Sequence, residues 1–87
     1  MKIRRGFILQ ELGDDHIAVP VGLAGDHFNG VIQLNETGAL LWRVLEKGAT
    51  EGDLADALLR QYPGADRDQV REDVKEFLET VRMAIDP

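Results

Sequence analysis

The sequence contains no cysteine among its 87 residues, so neither a disulfide framework nor a cysteine-ligated zinc site can stabilise the chain. Its apolar runs are far shorter than the roughly 20 residues that a membrane-spanning helix needs. A basic segment followed by an apolar one, the pattern of a secretion signal, is also missing, so we expect no signal peptide. These absences favour a cytoplasmic protein that is stabilised by packing alone.

Basic residues are scarce: 10 lysines and arginines stand against 16 aspartates and glutamates, which gives a formal net charge of −6. Because phosphate backbones attract basic surfaces, this balance disfavours nucleic acid as a partner. Lys2, Arg4 and Arg5 form the one basic cluster. The hydrophobic content of 44% is that of a globular protein, and the length predicts a single domain that spans residues 1–87.

Catalytic motifs are missing as well: the sequence has no G-x-S-x-G, P-loop or G-x-G-x-x-G pattern. The two histidines, His16 and His27, lack metal-ligand spacing, so we interpret them as structural or solvated, with metal binding as the alternative. Asp14-Asp15 and Glu72-Asp73 are adjacent carboxylates, which do not converge on one substrate as acid–base catalysis requires. We therefore expect a protein that is not an enzyme and has no metal and no cofactor.

The first third of the chain has β-strand patterns at about residues 6–12, 16–21 and 30–34. The turn sequence Gly-Asp-Asp at 13–15 predicts a hairpin between the first two runs. Pro20 cannot donate a ladder hydrogen bond, so it belongs at a strand end, at a bulge or beside an unpaired edge. Residues 22–29 should form a loop, and the third strand should lie at an edge of an antiparallel sheet.

The rest of the chain has helical patterns at about residues 36–47, 51–62 and 67–84, where apolar residues recur at spacings of three and four. Asn35, Thr50 and either Asp66 or Asp68 are suitable N-caps. Trp42 lies off the main apolar stripe, which places it at the rim of the core. The predicted fold class is α+β: a three-stranded antiparallel sheet followed by three helices, an arrangement similar to a winged helix-turn-helix.

The outer edge of the third strand is the one feature that calls for a partner, because Val31, Ile32 and Leu34 bring neither a charge nor a proline to protect it. Two interpretations stay equally open. Either a loop or a second copy of the chain covers the edge, which makes a dimer possible, or a peptide adds there as an extra strand. A winged-helix DNA-binding regulator is the alternative function, but the third helix has six acidic and four basic residues over 66–82.

Several motifs together resemble the PqqD-like family: Val-Ile-Gln-Leu-Asn-Glu-Thr-Gly-Ala-Leu-Leu-Trp at 31–42, Gly-Ala-Thr at 48–50, Tyr-Pro at 62–63 and Asp-Val-Lys-Glu-Phe-Leu at 73–78. Val-Pro-Val-Gly at 19–22 and Phe-Asn-Gly at 28–30 are similar to a subgroup of it. The chain departs from the family pattern at its end, where Ala84-Ile85 stands in place of a glycine-leucine pair.

The resemblance implies a non-catalytic peptide chaperone, also called a RiPP recognition element. Such a domain binds the leader of a ribosomally made precursor peptide and presents it to a modifying enzyme, in many cases a radical SAM enzyme. The acidic balance and the short apolar runs separately lead us to expect no nucleic acid and no membrane as partners. The leader is implied to pair with the third strand and to lie between that strand and the third helix. The implied peptide-binding residues are Gly30, Val31, Ile32, Gln33 and Leu34 on the strand and Val70, Asp73, Val74, Phe77 and Val81 on the helix.

Overall fold

A computed structural model describes residues 1–22 and 30–86 of the chain. In the described ranges the strands are β1 (Lys2–Ile3), β2 (Phe7–Leu12), β3 (Asp15–Pro20), β4 (Ile32–Leu34) and β5 (Ile85–Asp86), and the helices are α1 (Glu36–Glu46), α2 (Glu51–Gln61) and α3 (Arg67–Thr80). Most of the predicted loop, with His27 and with Phe28-Asn29 of the family pattern, lies outside the described residues.

The main sheet has three antiparallel strands in the order β2-β3-β4, which confirms the predicted α+β fold class. The resemblance to a winged helix-turn-helix is not confirmed. The β2–β3 hairpin has a two-residue loop, shorter than the three-residue loop expected, because Leu12 pairs directly with Asp15. Gly13 has a φ of 64°, which suits glycine in a tight hairpin. Pro20 ends β3, which is one of the three positions expected for it.

Each helix begins at a side-chain cap. Asn35 Oδ1 accepts a hydrogen bond from the Gly38 amide at 2.8 Å, and Asp66 Oδ2 accepts one from the Gln69 amide at 3.1 Å. Thr50 forms a full capping box with Asp53. These bonds satisfy amides that the first helical turn leaves without partners, and they explain why the chain changes from β4 to α1 across a single residue.

The core lies between the main sheet and the three helices. Its largest fully buried side chains are Trp42, Leu41, Leu45, Leu54 and Val81. The expectation that Trp42 lies at the rim of the core is therefore wrong, since its exposed fraction is 0%. The indole Nε1 has no hydrogen-bond partner among the described residues. Burial of the large ring outweighs the cost of this one unpaired donor.

The third helix was expected to run to about residue 84, but α3 ends at Thr80 and a short 3-10 helix follows at Arg82–Ala84. This change of direction lets β5 pair with β1, and the Arg4 amide donates to the Ala84 carbonyl at 2.8 Å. Pairing between residues so far apart in the chain leaves no local sequence pattern. None of the helices in the described ranges is long and apolar enough to cross a membrane.

Candidate functional site

The outer edge of β4 is the starting point of the site. On one side β4 pairs with β3, in a register that places Ile32 opposite Ala18 and Leu34 opposite His16. On the other side no strand within residues 1–22 or 30–86 pairs with it. Leu34 is buried, whereas Val31 before the strand is 61% exposed. The edge therefore offers unpaired backbone groups and exposed side chains without a charge among them.

Helix α3 lies beside this edge and presents two different faces. Four of its apolar side chains belong to the core: Val70, Val74 and Phe77 within the helix, and Val81 at its C-cap. Their spacing of three and four residues turns one stripe inward. The neighbouring stripe contains Asp73, which is exposed. Phe77 lies at the border between the stripes.

A cleft of about 230 Å³ separates β4 from α3 and extends to the first turns of α1. Its apolar surface comes from four side chains that are nearly buried, and its rim is polar. The lining residues are Gln33, Leu34, Asn35, Thr37, Gly38, Leu41, Leu58, Asp73, Glu76, Phe77 and Thr80. A strand edge next to a cleft can hold an extended chain, with its backbone on the strand and alternate side chains in the cleft.

The predicted binding residues fall into three groups in this geometry. Gln33, Leu34, Asp73 and Phe77 line the cleft. The second group, Gly30, Val31 and Ile32, lies along or just before the β4 edge and does not line the cleft. The third group is Val70, Val74 and Val81, which belong to the core rather than to the cleft. Val74 also lines a separate cavity of about 140 Å³ between α2 and α3.

Sequence reasoning did not include the remaining lining residues, which are Asn35, Thr37, Gly38, Leu41, Leu58, Glu76 and Thr80. A signal was present for some of them. Residues 73, 76, 77 and 80 share one helical face, so the choice of Asp73 and Phe77 already implied Glu76 and Thr80. The first turn of α1 must reach the cleft because only Asn35 separates it from β4. Leu58 of α2 gave no such signal, because only packing brings it there.

Gly38 lets α1 begin close to β4. A Cβ atom at this position would lie 3.1 Å from Asn35 Oδ1 and 3.3 Å from Leu34 Cβ, which is tighter than ordinary contacts between these atom types. The Gly38 amide also donates to Asn35 Oδ1. Because Gly38 has no side chain, the cap residue and the end of β4 can both lie this close to the first turn of α1.

The charged residues that line the cleft are all acidic. Asp73 and Glu76 are its charged lining residues, and among the described residues neither carboxylate forms an ion pair. Asp73 Oδ1 accepts a hydrogen bond from Gln69 Nε2 at 3.0 Å, one turn earlier on α3. The Thr80 hydroxyl donates to the Glu76 carbonyl at 3.0 Å, so it is already engaged. The rim of the cleft is therefore acidic.

The histidines and the other potential metal-binding side chains do not form a second site among the described residues. His16 Nδ1 lies 3.3 Å from Glu11 Oε1, and Glu11 also contacts Arg43, which ties the main sheet to α1. Among the described residues, no group of three or more histidine, cysteine, aspartate or glutamate side chains is placed to hold a metal ion. The second histidine, His27, lies outside the described ranges.

Comparison with solved structures finds two similar folds. One is "TbiB1 in Complex with the TbiA(beta) Leader Peptide", with a TM-score of 0.73 and 23% identity over 95% of this chain and 90% of that one. The other is "Lasso peptide synthetase B1 complexed with the leader peptide", with a TM-score of 0.69 and 17% identity over 94% of this chain and 89% of that one. At these identities the likeness shows a shared fold.

Comparison with curated proteins gives no match. The profile of the family described as coenzyme PQQ synthesis protein D (PqqD) matches residues 8–84, which is nearly the whole chain and includes both sides of the cleft. This match confirms the resemblance drawn from the sequence motifs, and the chain belongs to the PqqD family.

Proposed function

We propose that this domain binds the leader segment of a ribosomally made precursor peptide, which adds as a strand to the free edge of β4. The observation that carries the proposal is the unpaired edge beside the cleft to α3. Membership of the PqqD family supports the same function, as does the leader peptide that both similar structures contain. Neither comparison supports a DNA-binding regulator.

The binding mode follows from strand chemistry. Pairing with β4 satisfies the backbone groups of the peptide and demands little of its sequence, whereas alternate side chains enter the cleft and supply specificity. In this proposal Gln33, Leu34, Asp73 and Phe77 contact the peptide directly. Val70, Val74 and Val81 act from the core by fixing the position of α3. Because a flexible leader loses conformational entropy on binding, its affinity should be moderate.

The proposed role ends with presentation of the peptide. We propose that the domain itself catalyses nothing and delivers the bound precursor to a separate modifying enzyme, for which a radical SAM enzyme is one candidate class. An open strand edge also allows pairing between two copies of the chain, so a dimer that dissociates when peptide binds is a further expectation.

A direct test uses synthetic leader peptides from short precursor genes that neighbour this gene. Each peptide is titrated into isotope-labelled protein while the backbone amide signals are followed. We expect the largest shifts in Val31–Leu34 and along the exposed face of α3, because these residues gain new neighbours. Shifts confined to β2 or to the α1–α2 surface would overturn the proposed site.

Two proline variants, Ile32→Pro and Gln33→Pro, test strand addition itself. Neighbouring amide groups of a strand point to opposite sides, so one of these prolines removes a bond to β3 and the other removes a donor from the free edge. We call the variant that loses the outward-facing amide the free-edge variant. It should keep the fold and bind peptide at least about tenfold more weakly, because a hydrogen bond is lost and the proline ring adds bulk at the edge. Unchanged binding by a folded free-edge variant would contradict strand addition.

A further inference from the structure

We propose that the cleft selects peptides in which a lysine or arginine lies two positions from a large apolar residue, with Asp73 and Glu76 as the residues that set this preference. The inference rests on the proposed function and goes further, because it defines the chemistry of the peptide. It follows from the way charge is distributed around α3.

The charged side chains of α3 that line the cleft differ in sign from those of α3 that line the cavity beside α2. Asp73 and Glu76 line the cleft, whereas Arg71 and Lys75 line the separate cavity between α2 and α3. Each basic side chain lies within two positions of Asp73, yet the helical rotation of about 100° per residue turns both of them away from the cleft. Within the described part of the chain, the cleft therefore has two carboxylates and no lysine, arginine or histidine in its lining.

Peptide binding changes the surroundings of these carboxylates. Both residues are exposed in the free domain, where water solvates them. A strand laid along β4 would cover part of this rim and displace water from it. Removal of water from a carboxylate is costly unless a cation or a hydrogen-bond donor replaces it. A basic peptide side chain meets this need, whereas an acidic one adds repulsion.

The apolar part of the cleft fixes the position of the basic residue. Leu34, Leu41, Leu58 and Phe77 are each less than 8% exposed and together form an apolar surface that the polar rim surrounds. A peptide side chain that reaches this surface should be large and apolar. Since residues two apart in a strand point to the same side, the neighbouring side chain on that side lies next to the acidic rim.

Gln69 acts as a positioning residue for Asp73. Its amide Nε2 donates to Oδ1 of Asp73 at 3.0 Å, which leaves Oδ2 without a hydrogen-bond partner among the described residues. The bond spans one helical turn and limits the rotation of the carboxylate. Asp73 thus keeps one carboxylate oxygen available to a cation while the other accepts the bond from Gln69.

The test is selection from a library of random 12-residue peptides displayed on phage, with the unselected library as the reference for composition. Three proteins are compared: the natural domain, the Asp73→Asn/Glu76→Gln double variant and the matched control Glu72→Gln/Glu79→Gln. Both variants remove two negative charges from α3, but Glu72 and Glu79 do not line the cleft. Asparagine at position 73 keeps an oxygen that can accept the Gln69 bond.

We expect peptides selected by the natural domain and by the control to be enriched in lysine or arginine two positions from an apolar residue. The Asp73→Asn/Glu76→Gln variant should retain the apolar preference and lose the basic one. Enrichment of apolar residues without a basic preference would overturn the charge selection while leaving strand addition intact. If no peptide is enriched on the natural domain, the proposed function itself fails, and the selectivity with it.

Affinity measurements then give the size of the effect. For a selected peptide, lysine or arginine replaced by glutamate should weaken binding to the natural domain about tenfold, since partly exposed ion pairs contribute modestly and like charges repel. An increase in salt from about 0.01 M to about 1 M shortens the Debye length from roughly 30 Å to 3 Å, so the difference should become small. A difference that is unchanged by salt, or by the Asp73→Asn/Glu76→Gln change, would contradict the inference.

Discussion

The two faces of α3 differ in what covers them. The inner face, with Val70, Val74 and Val81, packs into the core. The adjacent face, with Asp73 and Glu76, borders an open cleft. Apolar periodicity identifies the first face in the sequence but gives no information about the second. The difference teaches that the residues of α3 that border the cleft lie beside its hydrophobic stripe, where a search for buried positions does not find them.

Phe77 lies at the border between these faces, and the largest effect is expected from its truncation. It is 7% exposed, belongs to the core cluster and lines the cleft. Phe77→Ala should lower the free energy of unfolding by about 3–5 kcal/mol, measured by urea denaturation, because it leaves a cavity. Phe77→Leu should cost less than about 1.5 kcal/mol, since most of the volume is kept. An alanine variant as stable as the natural domain would show that the side chain is not part of the core.

A pair of opposite substitutions compares the two faces at nearly constant volume. Val74→Thr places a hydroxyl in the core and should cost about 1–3 kcal/mol of stability. Thr80→Val removes an exposed hydroxyl that is bonded to the Glu76 carbonyl and should change stability by less than about 0.5 kcal/mol. The two variants can be compared in the same thermal denaturation experiment. Equal costs would mean that the two faces do not differ in burial as described.

Two cap variants should differ least from each other in stability, so they separate an effect on folding from an effect on binding. Asn35→Ala and Asp66→Ala each remove a side-chain acceptor for a first-turn amide and should cost about 1 kcal/mol. Asn35 lines the cleft, whereas Asp66 does not. Only the Asn35 variant should therefore alter peptide affinity, measured by fluorescence anisotropy. A comparable loss of affinity in the Asp66 variant would indicate that binding depends on general stability.

Most of the fold was predictable because it depends on local signals. The alternation of apolar residues in β3, the turn sequence at 13–15 and the caps Asn35 and Thr50 are signals that lie within or next to the elements they define. The β1–β5 pair was missed because its residues lie at opposite ends of the chain. The burial of Trp42 was missed for a related reason: it belongs to a core cluster whose residues come from both halves of the sequence.

The candidate site was predictable only in outline. The unprotected edge of β4 was visible in the sequence, and the family resemblance added α3 as the other wall. The exact lining depends on the rotation of α3 about its own axis, which tertiary packing decides. A valine stripe and an acidic stripe on the same helix are compatible with several rotations, and only the packed structure shows that the valines face the core.

Because Trp42 is completely buried, its intrinsic fluorescence reports whether the domain is folded. The chain has one tryptophan, so its tryptophan fluorescence comes from a single, fully buried environment. An indole in an apolar interior emits at shorter wavelength than one in water, and unfolding should therefore shift the emission to the red. Each change in stability expected above can be followed without a label, and the peptide-binding experiments can be checked for intact folding in the same cuvette.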